Sequence, residues 1–282
     1  MLKFLHNILL KGGFMNKVFI STGTMLGRPN GRDVALLKDV CPLLECDGLE
    51  IMMYDSWHDS IDKVRSTIKS LSLPVYSFHV EKQIGELISH DRLDYALELF
   101  ELNCKLAKEL GAKILILHLW NGIISDKNIS YNIKCFKYLR QIAERYELEL
   151  TVENVVCNQL DPMTHFRTLI NTYPDICFTF DTKMAEFHKQ LDEIYKSENY
   201  DIAKSIRHMH INDYMGTYKD WSNLRVLHIG KGEIDFCKFF SFVKKIGYTG
   251  SFTLEATSFD QNGIINTQSL NESVRKIKSL LK

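Results

Sequence analysis

The sequence lacks a net charge, because 35 Lys and Arg residues are balanced by 35 Asp and Glu residues. An overall basic field that would attract nucleic acid or an anionic membrane is therefore excluded, although a local basic patch is not. The sequence also lacks an apolar run near the roughly 20 residues that a membrane-spanning helix needs. With 45% hydrophobic and 25% charged residues and no low-complexity segment, the composition is that of an ordinary soluble globular protein.

The seven cysteines are scattered, and no Cys-x-x-Cys pair occurs among them. Zinc-finger chemistry is disfavoured because such sites usually draw on closely spaced cysteine pairs. An odd number of unpaired thiols is typical of a reducing compartment. The sequence therefore predicts reduced cysteines and a cytoplasmic protein.

The first residues of the chain resemble a poor signal peptide. A basic residue precedes a short apolar run that His6 and Asn7 interrupt, and no small-residue cleavage site follows. A strand pattern begins directly after Met15. We therefore expect residues 1–14 to be a dispensable leader and residues 15–282 to form a single domain.

Beyond Met15, short β-rich runs alternate with longer segments of helical periodicity, which predicts parallel strands joined by helical crossovers. Strands are predicted to begin at residues 18, 48, 75, 113, 149, 176, 206 and 251. Helices are predicted at about 33–46, 60–71, 92–110, 128–146, 163–172, 236–246 and from 268 onward, with an irregular stretch at 214–225. Eight such units in one chain indicate a (β/α)₈ TIM barrel, and a doubly wound open sheet is the alternative fold.

Six predicted strands in succession carry an acid or a histidine at or near their ends. These residues are His79, His118, Glu153, Asp181, His210 and Glu255. Because all strands of a parallel barrel end on the same rim, we expect the six side chains to converge within reach of one or two metal ions.

Four of these residues, and Glu50 on strand two, also have an interpretation without a metal. Glu153 or Glu255 could pair with a Lys or Arg at the rim, but both follow apolar runs, where an unpaired carboxylate is costly. His79 and His118 could instead bind a substrate hydroxyl. Glu50 could be a buried acid paired with a base, or a substrate contact.

Several motifs resemble a known family. They are Val152–Asn154, Phe180–Asp181, His208–Asp213, His228–Asp235 and Thr253–Glu255. Together they resemble the sugar phosphate isomerase/epimerase group of the xylose-isomerase-like TIM-barrel superfamily, which also includes endonuclease IV, and the resemblance covers nearly the whole chain from Lys17. It implies a divalent ion bound by Glu153, Asp181, His210 and Glu255. His210 matches the liganding histidine of the family better than His208 does.

The comparison with endonuclease IV, which uses three zinc ions, distinguishes two functions. His79, His118 and Glu153 match its first metal site. The third site is broken, because Met184 and Val226 stand where that enzyme has histidines. The resemblance therefore favours a sugar enzyme over a phosphodiesterase acting on abasic DNA.

The chemistry that follows is proton transfer through an enediolate in a sugar or sugar phosphate, with Glu153 and Glu255 as the catalytic acids and bases. The expected cofactor is a divalent ion: Mn, Mg, Co or Zn. Further candidates for a second ion or for substrate binding are His79, His118, His208, Asp213, Arg225, His228 and Lys231. Arg225 and Lys231 lie after strand seven, where barrels often bind phosphate, although the glycines beside Lys231 could simply form a tight turn.

The expected partner is a small-molecule sugar, with no nucleic acid and no membrane, and a homo-oligomer is left open. A barrel that binds a metal without turnover is the third functional alternative. Salt-sensitive binding of abasic DNA would favour the phosphodiesterase.

Overall fold

The computed structural model describes residues 16–121 and 126–282, in which eight parallel strands form one closed barrel. The strands are β1 Val18–Ser21, β2 Leu49–Met52, β3 Val75–His79, β4 Ile114–Leu117, β5 Glu149–Glu153, β6 Cys177–Asp181, β7 Ile206–Ile211 and β8 Ser251–Leu254. Strand order follows chain order throughout, which confirms the predicted TIM barrel. The predicted leader, residues 1–14, lies outside the described residues.

Helices follow the strands around the outside of the barrel. They are α1 Leu37–Val40, α2 Ile61–Lys69, α3 Gln83–Ser89, α4 Leu93–Leu110, α5 Ile129–Arg145, α6 Pro162–Thr172, α7 Thr182–Phe187, α8 Tyr200–Ser205, α9 Phe236–Lys245 and α10 Thr267–Leu281, together with short 3₁₀ turns. The longer helices bury one apolar stripe against the strands, as Leu99, Phe100 and Cys104 of α4 do. In the described part of the chain, no helix is long and apolar enough to cross a membrane.

The barrel closes where β1 pairs with both β2 and β8. Ile20 lies opposite Leu49 on one side and Leu254 on the other. Because the ring of hydrogen bonds is complete, no strand of the barrel presents an unpaired edge. The carboxyl ends of all eight strands consequently surround one rim.

The interior of the barrel contains a polar layer below that rim. Ser77 donates to Glu50 at 2.9 Å, and the hydroxyls of Thr151 and Thr179 are 2.7 Å apart. Each of these side chains is fully buried and bonds a residue of a neighbouring strand, although Glu50 Oε1 has no hydrogen-bond partner among the described residues. These hydrogen bonds hold β2 against β3 and β5 against β6, and β3, β5 and β6 carry residues of the rim or of the donor groups near it.

Several local predictions differ from the structure. The segment predicted as one helix at 33–46 consists of the short helix α1 between 3₁₀ turns, because Pro42 lacks the N–H that a continuous helix requires there. The short helices α3, α7 and α8 have no counterpart among the predicted helices. Strand β8 ends at Leu254, so Glu255 follows the strand, although its N–H still donates to Ile211 O at 3.1 Å.

Candidate metal centre

Four donor residues meet at the rim. The ligand atoms of Glu153, Asp181, His210 and Glu255 all lie within 4.8 Å of one another. Asp181 and His210 are direct neighbours in the β6–β7 register, while Glu153 and Glu255 come from β5 and from the residue after β8. Strand alternation thus points residues distant in sequence into one space.

His210 is the positively charged group of this cluster. Burial alone would lower its pKa, but the carboxylates of Glu255, Glu50 and Glu153 outweigh burial and hold the pKa well above its usual value. Its Nδ1 lies 2.9 Å from Glu153 Oε1 and 3.5 Å from Glu255 Oε2, and its Nε2 lies 3.2 Å from Glu50. Without an ion, the imidazolium is therefore the cation that balances these acids.

Asp181 is oriented by its surroundings before any ion binds. Its two carboxylate oxygens accept hydrogen bonds from the Met184 N–H at 2.6 Å and from the Asn212 side chain at 2.8 Å. Asn154 accepts from the Asp181 N–H at 2.6 Å and donates to the Asp181 carbonyl at 3.0 Å. Burial raises the pKa of Asp181 to about 6, with Lys183 opposing the rise. Buried carboxyls crowded in this way favour a cation between them.

A second group of donors shares Glu153. His118 Nε2 lies 2.6 Å from Glu153 Oε2, and His79 Nε2 lies 3.1 Å from His118 Nε2. His79 Nδ1 donates to Val80 O at 2.8 Å, so the other ring nitrogen, Nε2, is the one that faces His118. Burial lowers the pKa of His118 to about 4. Two imidazoles and a carboxylate thus face one point.

A third group lies deeper in the barrel. Glu50 contacts the Nε2 atoms of His208 at 3.1 Å and His210 at 3.2 Å, and His208 Nδ1 bonds Ser251 at 2.7 Å. These bonds agree with the interpretation of Glu50 as a buried acid paired with a base. The three donor sets are close enough to hold an ion, but this group is fully buried and lies apart from the cavity wall.

The first donor set fits a divalent cation. Three carboxylates and one imidazole supply the mixed oxygen and nitrogen ligands that Mn²⁺, Co²⁺, Zn²⁺ and Mg²⁺ accept to different degrees. The Nε2–H of His210 donates to Glu50 when Nδ1 gives its lone pair to an ion, the arrangement that orients metal-binding histidines. Glu153, Asp181, His210 and Glu255 are therefore the residues that could hold an ion.

A cavity of about 100 Å³ opens onto these donors. Its wall includes Glu153, Glu255, Lys82 and Lys183. A neighbouring cleft of about 380 Å³ shares Lys82 with it. Together they have room for a small molecule beside the donor cluster.

Four other candidates lie away from the cluster. The Asp213 carboxylate accepts from the N–H groups of Gly230, Gly232 and Ile234 at 2.7, 2.9 and 3.1 Å, so it holds the loop after β7. His228 bonds Ser273 and Ser258 through its two nitrogens at 2.8 and 3.0 Å.

Arg225 and Lys231 are exposed, and neither lines the cavity or the neighbouring cleft. The structure thus places none of these four side chains with the rim donors: loop hydrogen bonds orient Asp213 and His228, and Arg225 and Lys231 face solvent.

Sequence reasoning missed four residues that shape the site. Asn154 and Asn212 stand inside the Val-Glu-Asn and His-Ile-Asn-Asp motifs, where their position next to a ligand was the available signal. Lys82 and Lys183 follow β3 and β6 by a few residues, and only the fold brings their side chains to the cavity.

The protein is thus a TIM barrel, and carboxylates and histidines that could hold a metal ion converge at its rim. The family model of the xylose isomerase-like TIM barrel matches residues 43–280, and the chain belongs to that family. Uncharacterized protein MJ1614 of Methanocaldococcus jannaschii is 26% identical over 226 residues, which cover 77% of this chain and 82% of that protein.

Solved structures with the same fold include sugar epimerases. D-allulose 3-epimerase from Methylomonas sp. superposes with a TM-score of 0.70 at 14% identity, over 95% of this chain and 98% of that chain. L-ribulose 3-epimerase gives 0.72 at 16% identity over 95% of both chains. The IolI protein with a bound zinc atom gives 0.71 at 16% identity, over 94% and 98%. At these identities the likeness establishes the fold.

Proposed function

We propose that the protein is a divalent-metal-dependent isomerase or epimerase of a sugar or sugar phosphate. The observation that carries the proposal is the placement of two glutamates, Glu153 and Glu255, in one donor cluster that lines a small-molecule cavity. The names of the structural neighbours, D-allulose 3-epimerase and L-ribulose 3-epimerase, support the same class of reaction and substrate. The zinc atom of the IolI structure supports a divalent ion.

Glu153, Asp181, His210 and Glu255 would hold the ion. When bound, a divalent ion supplies positive charge that favours negative charge on neighbouring substrate oxygens. The identity of the ion depends on the balance between hard oxygen donors and the single imidazole, which admits Mn²⁺, Mg²⁺, Co²⁺ and Zn²⁺.

Glu153 and Glu255 would move the proton. One carboxylate removes a proton from the carbon next to the carbonyl, and the electron pair of the broken C–H bond moves to the carbonyl oxygen to give the enediolate. The other glutamic acid then returns a proton, to the opposite face of the same carbon in an epimerase or to the adjacent carbon in an isomerase. Glu153 is held by His118 and His210, whereas Glu255 is more open to the cavity.

The cations on the cavity wall support an anionic substituent on the substrate. Lys183 is nearly buried beside the donors, and Lys82 is exposed where the cavity meets the larger cleft. A phosphate at Lys82 would leave the sugar carbonyl near the glutamates. We propose this position in place of the loop that carries Arg225 and Lys231.

A phosphodiesterase of endonuclease IV type is less well supported. Met184 and Val226 line the cavity at the two positions where the resemblance calls for histidines. Neither side chain is a ligand for zinc of the kind that a third ion requires. All seven cysteines are free thiols, which suits the cytoplasmic location that we propose for the sugar enzyme.

Solvent-exchange experiments test the proposal. With a panel of ketoses, aldoses and their phosphates in D₂O, the metal-loaded protein should introduce deuterium at the carbon next to the carbonyl. Glu153→Gln or Glu255→Gln should abolish the exchange, because glutamine keeps the size and one acceptor oxygen but takes up no proton. Glu149→Gln, at the opposite end of β5, is the matched control and should exchange as the wild type does.

Metal content is measured on the same samples, so that lost acid–base chemistry is distinguished from a lost ion. Turnover without deuterium incorporation would contradict the two-glutamate scheme, since a hydride shift moves hydrogen without solvent. Cleavage of abasic DNA with no sugar turned over would contradict the reaction class.

A further inference from the structure

A second cluster of metal-ligating side chains lies outside the candidate metal centre. It consists of Asp126, Cys157 and His165, whose ligand atoms lie within 4.8 Å of one another. Asp126 comes from the segment after β4, Cys157 from the segment after β5, and His165 from the first turn of α6. We propose that these three residues bind a zinc-type divalent ion that ties the two segments and the helix together.

Unpartnered polar atoms point to a ligand at this cluster. Asp126 Oδ1 and His165 Nε2 have no hydrogen-bond partner in the described structure, although both side chains are only 1% exposed. Buried polar atoms are nearly always paired. These two unpartnered atoms belong to residues of the same cluster, so one explanation should account for both. An ion between them satisfies both.

The remaining bonds of the cluster fix its geometry. Asp126 Oδ2 accepts from the Asn158 and Gln159 N–H groups at 3.0 and 2.6 Å, which leaves Oδ1 for the ion. Asp161 caps α6 by accepting from Thr164 N at 2.8 Å, and this cap starts the helix that carries His165. Asp126 and His165 are therefore positioned by contacts that do not depend on the ion, whereas the Cys157 thiol donates to Val155 O at 3.4 Å and loses this bond when its sulfur binds the ion as a thiolate.

The donor set identifies the class of ion. A thiolate, an imidazole and a carboxylate are borderline-soft ligands together, which suits Zn²⁺ or Co²⁺ and disfavours Mg²⁺ and Ca²⁺. The two negative ligands Cys157 and Asp126 would neutralise the charge of the ion, which makes the assembly compatible with burial. Burial lowers the pKa of His165 to about 4, so its ring is neutral.

His188 is a neighbour of the cluster and not a fourth ligand. Its Nε2 accepts the Cys157 N–H at 2.9 Å, so the proton of the neutral ring resides on Nδ1. The ion would have three protein ligands and complete its coordination with solvent.

A nucleophilic Cys-His-Asp arrangement is a poor alternative interpretation. Cys157 is fully buried, and without an ion burial raises the pKa of its thiol, so no thiolate is available to attack a substrate; only a bound cation would offset this effect of burial. The wall residues of the described cavities do not include it.

Cobalt absorption on the wild-type protein tests the proposal, since Co²⁺ bound to a thiolate gives a charge-transfer band in the near ultraviolet. The candidate metal centre offers only oxygen and nitrogen donors, so it contributes no such band. We expect the band in the wild type and in Asp181→Asn. X-ray absorption of the zinc-loaded wild type should find sulfur at about 2.3 Å from zinc.

Cysteine variants assign the sulfur. Cys157→Ser should lose the cobalt band, whereas Cys104→Ser, which changes another fully buried cysteine, and Cys237→Ser, which removes the exposed thiol, should keep it. If Cys157→Ser does not fold, His165→Gln is used and should weaken Co²⁺ binding at least tenfold. Absence of the band and of a Zn–S distance in the wild type, or a band that persists in Cys157→Ser, would overturn the proposal.

Discussion

Both ring nitrogens of His210 contact carboxylates, but the two nitrogens face different parts of the barrel. Nδ1 faces Glu153 and Glu255 at the rim, and Nε2 faces Glu50 in the barrel interior. Glu50 is fully buried, and burial is outweighed by His210 and His208, which hold its pKa well below the usual value. The buried charge of Glu50 therefore favours the ring orientation that presents Nδ1 to an ion.

Replacing Glu50 tests this orientation. Glu50→Gln removes the negative charge but keeps the size and one acceptor oxygen, so the divalent ion should bind on the order of tenfold more weakly. Competition with a chelator measures the affinity. The control is Glu149→Gln, a partly exposed glutamate at the other end of the barrel, which should bind as the wild type does. Equal affinities in both variants would contradict the role of Glu50.

The strand-end donors could be predicted from the sequence because a strand fixes which side chains share a face. The period of two and the parallel topology were enough to place Glu153, Asp181 and His210 at one rim, whereas the preference for His210 over His208 as a ligand came from the family resemblance. Asp213 and His228 could not be placed in this way, since their orientation follows from hydrogen bonds within loops. Lys82 and Lys183 reach the cavity through long side chains whose direction depends on the neighbouring loops.

The helix α3 shows how an unpredicted element supports the site. The O atoms of Gly85 in α3 and of Leu119 after β4 both accept hydrogen bonds from the Asn132 side chain, at 2.8 and 2.6 Å. A Cβ atom on Gly85 would overlap the His118 carbonyl and lie 2.6 Å from the Leu119 carbonyl carbon. The close packing of α3 thus fixes the backbone that carries His118.

Gly85→Ala should lower the free energy of unfolding by a net ~1–2 kcal/mol, because the overlap with backbone atoms costs up to ~3 kcal/mol and outweighs the gain of ~1 kcal/mol that alanine brings to a helix. Chemical denaturation measures the change. Gly111→Ala is the control. Gly111 has a φ of +87° and, apart from its neighbours in the chain, a Cβ atom added there would meet no atom of the described residues within 4 Å. Alanine at this position therefore brings backbone strain of about 1–2 kcal/mol but does not displace His118. Unchanged or increased stability of Gly85→Ala would disprove the contact.

Long amphipathic elements were predictable and short ones were not. The helix predicted at 92–110 is observed as Leu93–Leu110, where the apolar stripe is long and Gly111 ends it. Helices α3 and α8 have seven and six residues, too few turns for a periodic pattern. Tertiary contacts, and not local sequence, stabilise such segments.

At the scale of the whole molecule, closure depends on the first residues of the barrel. The Asn16 side chain donates to the Tyr248 and Gly250 carbonyls at 3.1 and 2.6 Å, and Lys17 O accepts from Phe252 N at 3.0 Å. These bonds join the start of β1 to β8. The count of eight β-then-α units predicted the closed barrel over the doubly wound open sheet, and the pairing of β1 with β8 confirms it.

Removal of residues 1–14 should leave the thermal unfolding midpoint within about 5 °C of the full chain, because Asn16 and Lys17, which both remain, make the closing contacts described above. Calorimetry of the two proteins measures the difference. Removal of residues 1–17 is the comparison and should lower the midpoint further, since it also deletes Asn16 and Lys17. A large fall for the shorter deletion would mean that the leader packs on the barrel.

The rim donors come from four different parts of the barrel, and no two of Glu153, Asp181, His210 and Glu255 belong to the same strand–helix unit. A single codon change therefore alters one donor position and leaves the backbone of the others intact. Met184 and Val226 border the same cavity and supply neither an imidazole nor a carboxylate. In a barrel of this kind, substitutions can therefore change the chemistry of the rim one residue at a time while the fold stays the same.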